Sequence, residues 1–122
     1  MKRLLIIVVL LALLTIPVAC DHETDWSQAI NHVGEQLTIC GPVVSTNYAT
    51  ASNGSPTFMN IGKPYPDSNR FIVLIWGNNR HNFLFEPESY YLGKNICVTG
   101  VITKYDGVAQ IEVSSPSQIK VR

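Results

Sequence analysis

The chain has 122 residues, 46% of them apolar, with Lys+Arg and Asp+Glu balanced at 9 each. That length allows one domain and excludes a multidomain enzyme, a helical membrane protein with several spans and a strongly basic histone-like binder. The balance shifts once the first nineteen residues are set aside, because residues 20–122 hold seven cations against nine acids, a net charge of −2.

Met1-Lys2-Arg3 places two cations ahead of Leu4–Leu14, eleven consecutive apolar residues, and small residues follow before Cys20. This is the layout of a signal peptide over residues 1–19, with a basic start, an apolar middle and a small-residue cut. Val18-Ala19-Cys20 resembles the end of a bacterial lipobox, in which the cysteine is lipidated and becomes the new N-terminus, although Pro17 stands where such motifs usually carry Leu. Two other readings stay open. The leader is cut without lipid, or it is kept as an anchor, for which the 17 residues of Leu4–Cys20 are at the lower limit. All three place the rest of the chain outside the cytoplasm. The expected location is therefore the cell envelope, held to the membrane by lipid at Cys20, with a soluble periplasmic or secreted form as the alternative.

Residues 20–25 read as a polar tether. Trp26, Ala29, Ile30 and Val33 fall at i, i+3, i+4 and i+7, one face of a short helix. Thr24 or Asp25 can cap its start, and Gly34 suits a left-handed stop. From Gln36 the pattern changes to strands. Leu37–Tyr48 alternates and is rich in β-branched residues, with Pro42 limiting one edge of its pairing. Ala49–Pro56 is a loop, Thr57–Ile61 a short strand, and Gly62–Asn69 a second loop stiffened by two prolines. Phe71–Trp76 is apolar on both faces, the mark of a central strand covered on either side. Gly77–Leu92 is aromatic-rich and contains one short helix beginning near Pro87. Lys94–Tyr105 and Val108–Val113 are strands joined by Asp106-Gly107, a strong two-residue hairpin signal. Gln118–Val121 is a last extended piece.

Two cysteines, Cys40 and Cys97, remain in a domain expected to meet no reducing pool, so a disulfide is favoured over two buried thiols. The segments beginning at Cys40 and Cys97 share a pattern: Cys, β-branched alternation, then Tyr at offset eight. Paired antiparallel about the cysteines, Leu37, Ile39, Gly41 and Val43 would face Gly100, Val98, Ile96 and Lys94, and both sulfurs would lie on one face. With no CxxC and no base beside a lone thiol, the pair reads as a staple and not as a redox centre.

The order is helix, three strands, a helical segment, then two strands. A helix between the third and fourth strands of a five-strand antiparallel set describes a mainly β, five-stranded OB-fold barrel with a short N-terminal helix. Closing it requires the first strand to pair with the fourth, and these are the two cysteine strands. Gly34–Val43, Pro56–Pro66, Phe71–Gly77 and Tyr91–Gly100 also resemble a family of small exported bacterial OB-fold proteins, described as nucleic-acid-binding-like and sometimes found beside nuclease domains. The resemblance covers about residues 26–121. It implies the barrel and says little about chemistry.

OB barrels bind along the face of their second and third strands, between the loops after the first and fourth. Here those elements offer Tyr48, Phe58, Asn60, Lys63, Tyr65, Arg70, Trp76, Arg80, Lys104 and Tyr105 as ligand-binding candidates. Aromatic rings stack on bases and cations follow phosphates. The competing reading has Phe58 and Trp76 covering the barrel under the N-terminal helix, with Tyr48 and Tyr105 packed as a strand pair. His22, His32 and His81 lack metal spacing, and Asp21-His22-Glu23 reads as solvated tether. No nucleophile–base set, paired-carboxylate motif or phosphate loop is present, so neither catalysis nor a cofactor is expected. The expectation is a non-catalytic exported module binding single-stranded nucleic acid or another extended polymer through stacking. The alternatives are an envelope protein-interaction or structural module, or an oligosaccharide binder.

Overall fold

One long strand, β2 (Gln36–Tyr48), serves two neighbours in turn, and the architecture follows from that division. The computed structural model describes residues 23–122; the leader, Cys20 and His22 lie outside the described residues. Residues 36–42 of β2 pair antiparallel with β5 (Asn95–Tyr105), and residues 43–48 pair antiparallel with β3 (Thr57–Ile61). Pro42 stands at the handover. It has no N–H to donate, so it costs least where one ladder ends and the next begins.

The ring closes through β4 (Phe71–Ile75) and β6 (Val108–Glu112). β3 pairs with β4 antiparallel, β4 with β6 parallel, and β6 with β5 antiparallel, which returns the path to β2. Ile39, Met59, Ile61, Val73, Ile75, Ile96, Val98, Ile102 and Ile111 fill the interior, all 2% exposed or less. Asp106 and Gly107 both have positive φ (50° and 78°), the backbone a tight hairpin turn needs between right-twisted strands.

The staple is present. Cys40 and Cys97 are bonded, with Cα atoms 4.1 Å apart, and they are register partners between β2 and β5. Leu37, Ile39 and Gly41 stand opposite Gly100, Val98 and Ile96, and the Val43 N–H donates to the Lys94 carbonyl. The two strands that must meet to close the ring are therefore joined covalently.

Three expectations are corrected. First, Glu23–Asp25, expected within the tether, forms a strand, β1, parallel to β2 at Thr38–Cys40. With β7 (Ile119–Val121) against β5, it widens the cysteine-bearing sheet to four strands. Second, the N-terminal helix Trp26–His32 is 3₁₀ and not α, capped by the Asp25 carboxylate on the Ser27 N–H. Three residues per turn put Trp26 and Ala29 on one side and rotate Ile30 and Val33 away. Ala29 is fully buried, while Ile30 and Val33 are 44% and 46% exposed. Third, the segment between β4 and β5 holds two pieces, a 3₁₀ helix Gly77–Asn82 and a single-turn helix, α1 (Pro87–Tyr90). Only the second, starting at Pro87, was legible as a helix.

The Trp26 indole closes one end of the ring. A methyl group built on Gly62 would come within 2.1 Å of its Cε2, and one on Gly41 within 2.6 Å of its Cδ1. Gly62 also has φ +78°, so both its space and its backbone conformation demand glycine. Trp26, and not Phe58 or Trp76, covers the interior beneath the N-terminal helix.

Candidate functional site

Alternation along the strands separates the ten candidate residues. On β3, Met59 and Ile61 point inward, so Phe58 and Asn60 face outward. On β4 the outward residues are Ile72 and Leu74, and Trp76 continues that row just past the strand. On β6 the outward row begins at Val108, paired with Tyr105 of β5. Ile72, Leu74 and Val108 form a second apolar cluster, with Phe58 packed against it, on the outside of the ring.

That outer cluster is floor, not open surface. Ile72 and Leu74 are only 6% and 3% exposed although they point away from the interior. The face shows to solvent half-buried Phe58 above the floor, Trp76 beyond the end of β4, Tyr105 at the hairpin, 74% exposed, and the exposed carboxylate Glu112, the register partner of Leu74. Trp76 is held against the loop after β2, since a methyl group on Gly54 would come within 2.9 Å of its ring. The Gly77 N–H donates to the Gly54 carbonyl at 2.9 Å and fixes the same contact. Asn60 is 5% exposed and donates through Nδ2 to Ser45 Oγ at 2.9 Å, so its amide is already engaged.

Tyr48 and Arg80 belong elsewhere. The Arg80 guanidinium lies 3.6 Å from the Tyr48 ring centre and donates to both Glu88 carboxylate oxygens, at 2.7 and 3.1 Å, and to Thr57 Oγ1. The Thr46 hydroxyl donates to the Glu88 carbonyl, so β2, β3 and α1 meet in one polar cluster. Burial pushes the Glu88 carboxyl up, but its bonds to Arg80 and to its own backbone outweigh this and hold its pKa below the ordinary range. Arg80 is raised, chiefly by its bond to Glu88. Tyr48 pairs with Thr57 and Tyr105 with Val108, so the two tyrosines are not a strand pair.

Lys63, Tyr65 and Arg70 occupy or adjoin the loop between β3 and β4. Lys63 is exposed, and Tyr65 is 72% exposed with the Arg70 guanidinium 5.1 Å from its ring centre. Arg70 Nη1 donates to the Asp67 carbonyl at 2.7 Å. Lys104 is exposed and pairs with Ala109, so it projects to the side opposite Tyr105. The structure thus gathers Phe58, Trp76 and Tyr105 on one face and scatters the cations. The floor residues Ile72, Leu74 and Val108 were missed as site residues. Their signal was the two-sided apolar run of β4, which does not reveal which side carries a ligand surface.

Among the described residues, Glu23, Cys40 and Cys97 come together at metal-ligand spacing, but the two sulfurs are bonded to each other and have no thiolate to offer. Among the same residues no helix is long and apolar enough to cross a membrane. The disulfide fits an oxidising compartment.

These features define an OB-like domain: a mainly β chain with a ring through five strands and a few short helices. No protein-family model matches the sequence, and no curated protein does. Solved structures do match in shape. An aspartyl-tRNA synthetase described as putative, from Leishmania major Friedlin, superposes with a TM-score of 0.53 at 11% identity over 88% of this chain. An aspartyl-tRNA synthetase from Entamoeba histolytica gives 0.52 at 14% identity over 81%. This chain spans 22% and 21% of those two proteins. An OBody, AM1L10, bound to hen egg-white lysozyme gives 0.53 at 18% identity over 81% of this chain and 92% of its own. At these identities the likeness is one of fold.

Proposed function

We propose that the chain is a non-catalytic binding module built as a five-stranded OB-fold barrel and displayed outside the cytoplasm, anchored by lipid at Cys20. Its ligand is an extended polymer, single-stranded nucleic acid first, lying across the outer face of β3, β4 and β6. The observation that carries this reading is the aromatic row on that face, Phe58, Trp76 and Tyr105, over the apolar floor of Ile72, Leu74 and Val108. Flat ligand groups stack on such rings at about 1–3 kcal/mol each. The synthetase-like fold supports nucleic acid, and the leader-like first nineteen residues together with the Cys40–Cys97 disulfide support the envelope location. Charge contributes little, because Arg80 is committed to Glu88 and residues 20–122 hold nine acids against seven cations.

Labelled oligonucleotides at low salt test the reading. Binding tighter than about 10⁻⁴ M is expected, the range even non-specific binders reach. Phe58→Ala and Trp76→Ala should each weaken it roughly 5- to 150-fold, and added salt should weaken it less than it weakens a basic binder. No binding at that level removes nucleic acid. The second reading is then a protein-interaction module, favoured by the scattered cations and by the fold's likeness to an OBody that binds lysozyme. It predicts a stoichiometric, nuclease-insensitive partner in envelope extract. An oligosaccharide stacked on the same rings is the remaining alternative.

A further inference from the structure

At the end of the ring closed by Trp26, beside the hairpin turn that carries Tyr105, lies a cavity of about 330 Å³. Its walls include Trp26 and Ile30 from the N-terminal helix, Ser68, Asn69 and Arg70 from the loop before β4, and Gly107 of the hairpin turn. The size and mixture are those of a small-molecule site, with an apolar body and a few convergent polar groups. Arg70 supplies the chemistry. Its Nη1 is taken by a backbone carbonyl, its Nε is buried with no hydrogen-bond partner, and no carboxylate pairs with it among the described residues. A buried donor left unpaired is costly, and a half-buried guanidinium without a counter-ion favours an anion. The nearby acids do not fill the role. Asp25 is engaged with Ser27, and the Asp67 carboxylate accepts from the Asn69 N–H.

We propose that this cavity binds a small carboxylate carried on an apolar, planar body. The carboxylate meets the free edge of the Arg70 guanidinium, and the body lies against Trp26 and Ile30. Nε is shielded from solvent, so binding turns the guanidinium toward the cavity. None of Phe58, Trp76 and Tyr105 lines this site.

Benzoate, with benzamide as its uncharged counterpart, is the probe, followed by amide and indole NMR shifts in the intact domain. Benzoate should shift the Trp26 indole and the Ser68 and Asn69 amides along a saturating curve. Benzamide, and benzoate with the Arg70→Gln variant, should bind at least about 10-fold more weakly, the scale of one charge-assisted hydrogen bond. Ile30→Trp, which fills the cavity from its solvent side and leaves Arg70 in place, should abolish the shifts. No saturating shift by about 10 mM benzoate, where binding is too weak to mark a site, would overturn the proposal. So would equal binding of benzamide, or undiminished binding by a folded Arg70→Gln or Ile30→Trp variant.

Discussion

Two tyrosine–arginine pairs sit at different places on the ring, and their difference separates scaffold from site. Arg80 lies over Tyr48, donates to two oxygens of Glu88 and to Thr57, and has every reason to stay where it is. Among the described residues, Arg70 lies near Tyr65 with one bond to a carbonyl, a buried Nε that has no partner, and a cavity beside it. In sequence the two pairs look alike, and both were candidates for ligand contact. The carboxylate decides: a cation already paired inside the fold holds elements together, whereas one without a partner still has chemistry to offer.

Mutation tells the two pairs apart. The largest effect belongs to neither pair. Replacing Cys40 and Cys97 together by Ala releases a loop of 57 residues, and chain entropy puts the loss at about 4 kcal/mol. Urea unfolding should show it, and both pairs should weaken together because both depend on the closed ring. Next comes Arg80→Gln, which leaves Glu88 partly buried without its cation. The expected loss is about 3 kcal/mol, the lower end for breaking one side of a buried pair, since each side chain keeps some solvent contact. Gly62→Ala should cost about 2 kcal/mol, because it forces a side chain into a left-handed position against Trp26. Its unfolding midpoint should fall while oligonucleotide binding at the aromatic face persists.

A smaller effect is set by pH. The folded protein holds the Glu88 carboxyl below its ordinary pKa, so the contribution of the pair is complete above the unfolded value of about 4.3. It is lost as pH falls through the lower, folded value. Thermal melts between neutral pH and pH 3 should show a shallower acid decline in Glu88→Gln than in the parent. The smallest effect is expected at Arg70→Gln, under about 1 kcal/mol, because the charge it removes has no carboxylate partner among the described residues.

Much of the ring was legible in the sequence, and particular residues show why. Cys40 and Cys97, the β-branched runs around them and Asp106-Gly107 each encode local geometry, and together they set the β2–β5 register and the hairpin. The helix between Trp26 and His32 was legible as an element but not as a type, since Trp26 and Ala29 fit either an α or a 3₁₀ period. β1 was hidden because Glu23-Thr24-Asp25 has no apolar alternation, and its pairing is supplied by the edge of β2. The aromatic members of the site could be read from composition. Their division among faces could not, because it depends on which strands are neighbours and on Glu88 reaching Arg80 across a turn.

Urea unfolding of Arg80→Gln and Arg70→Gln side by side decides whether one arginine belongs to the scaffold and the other to a site. The expected losses are about 3 kcal/mol for Arg80→Gln and less than about 1 kcal/mol for Arg70→Gln. Equal losses, or a larger loss at Arg70, would contradict that assignment.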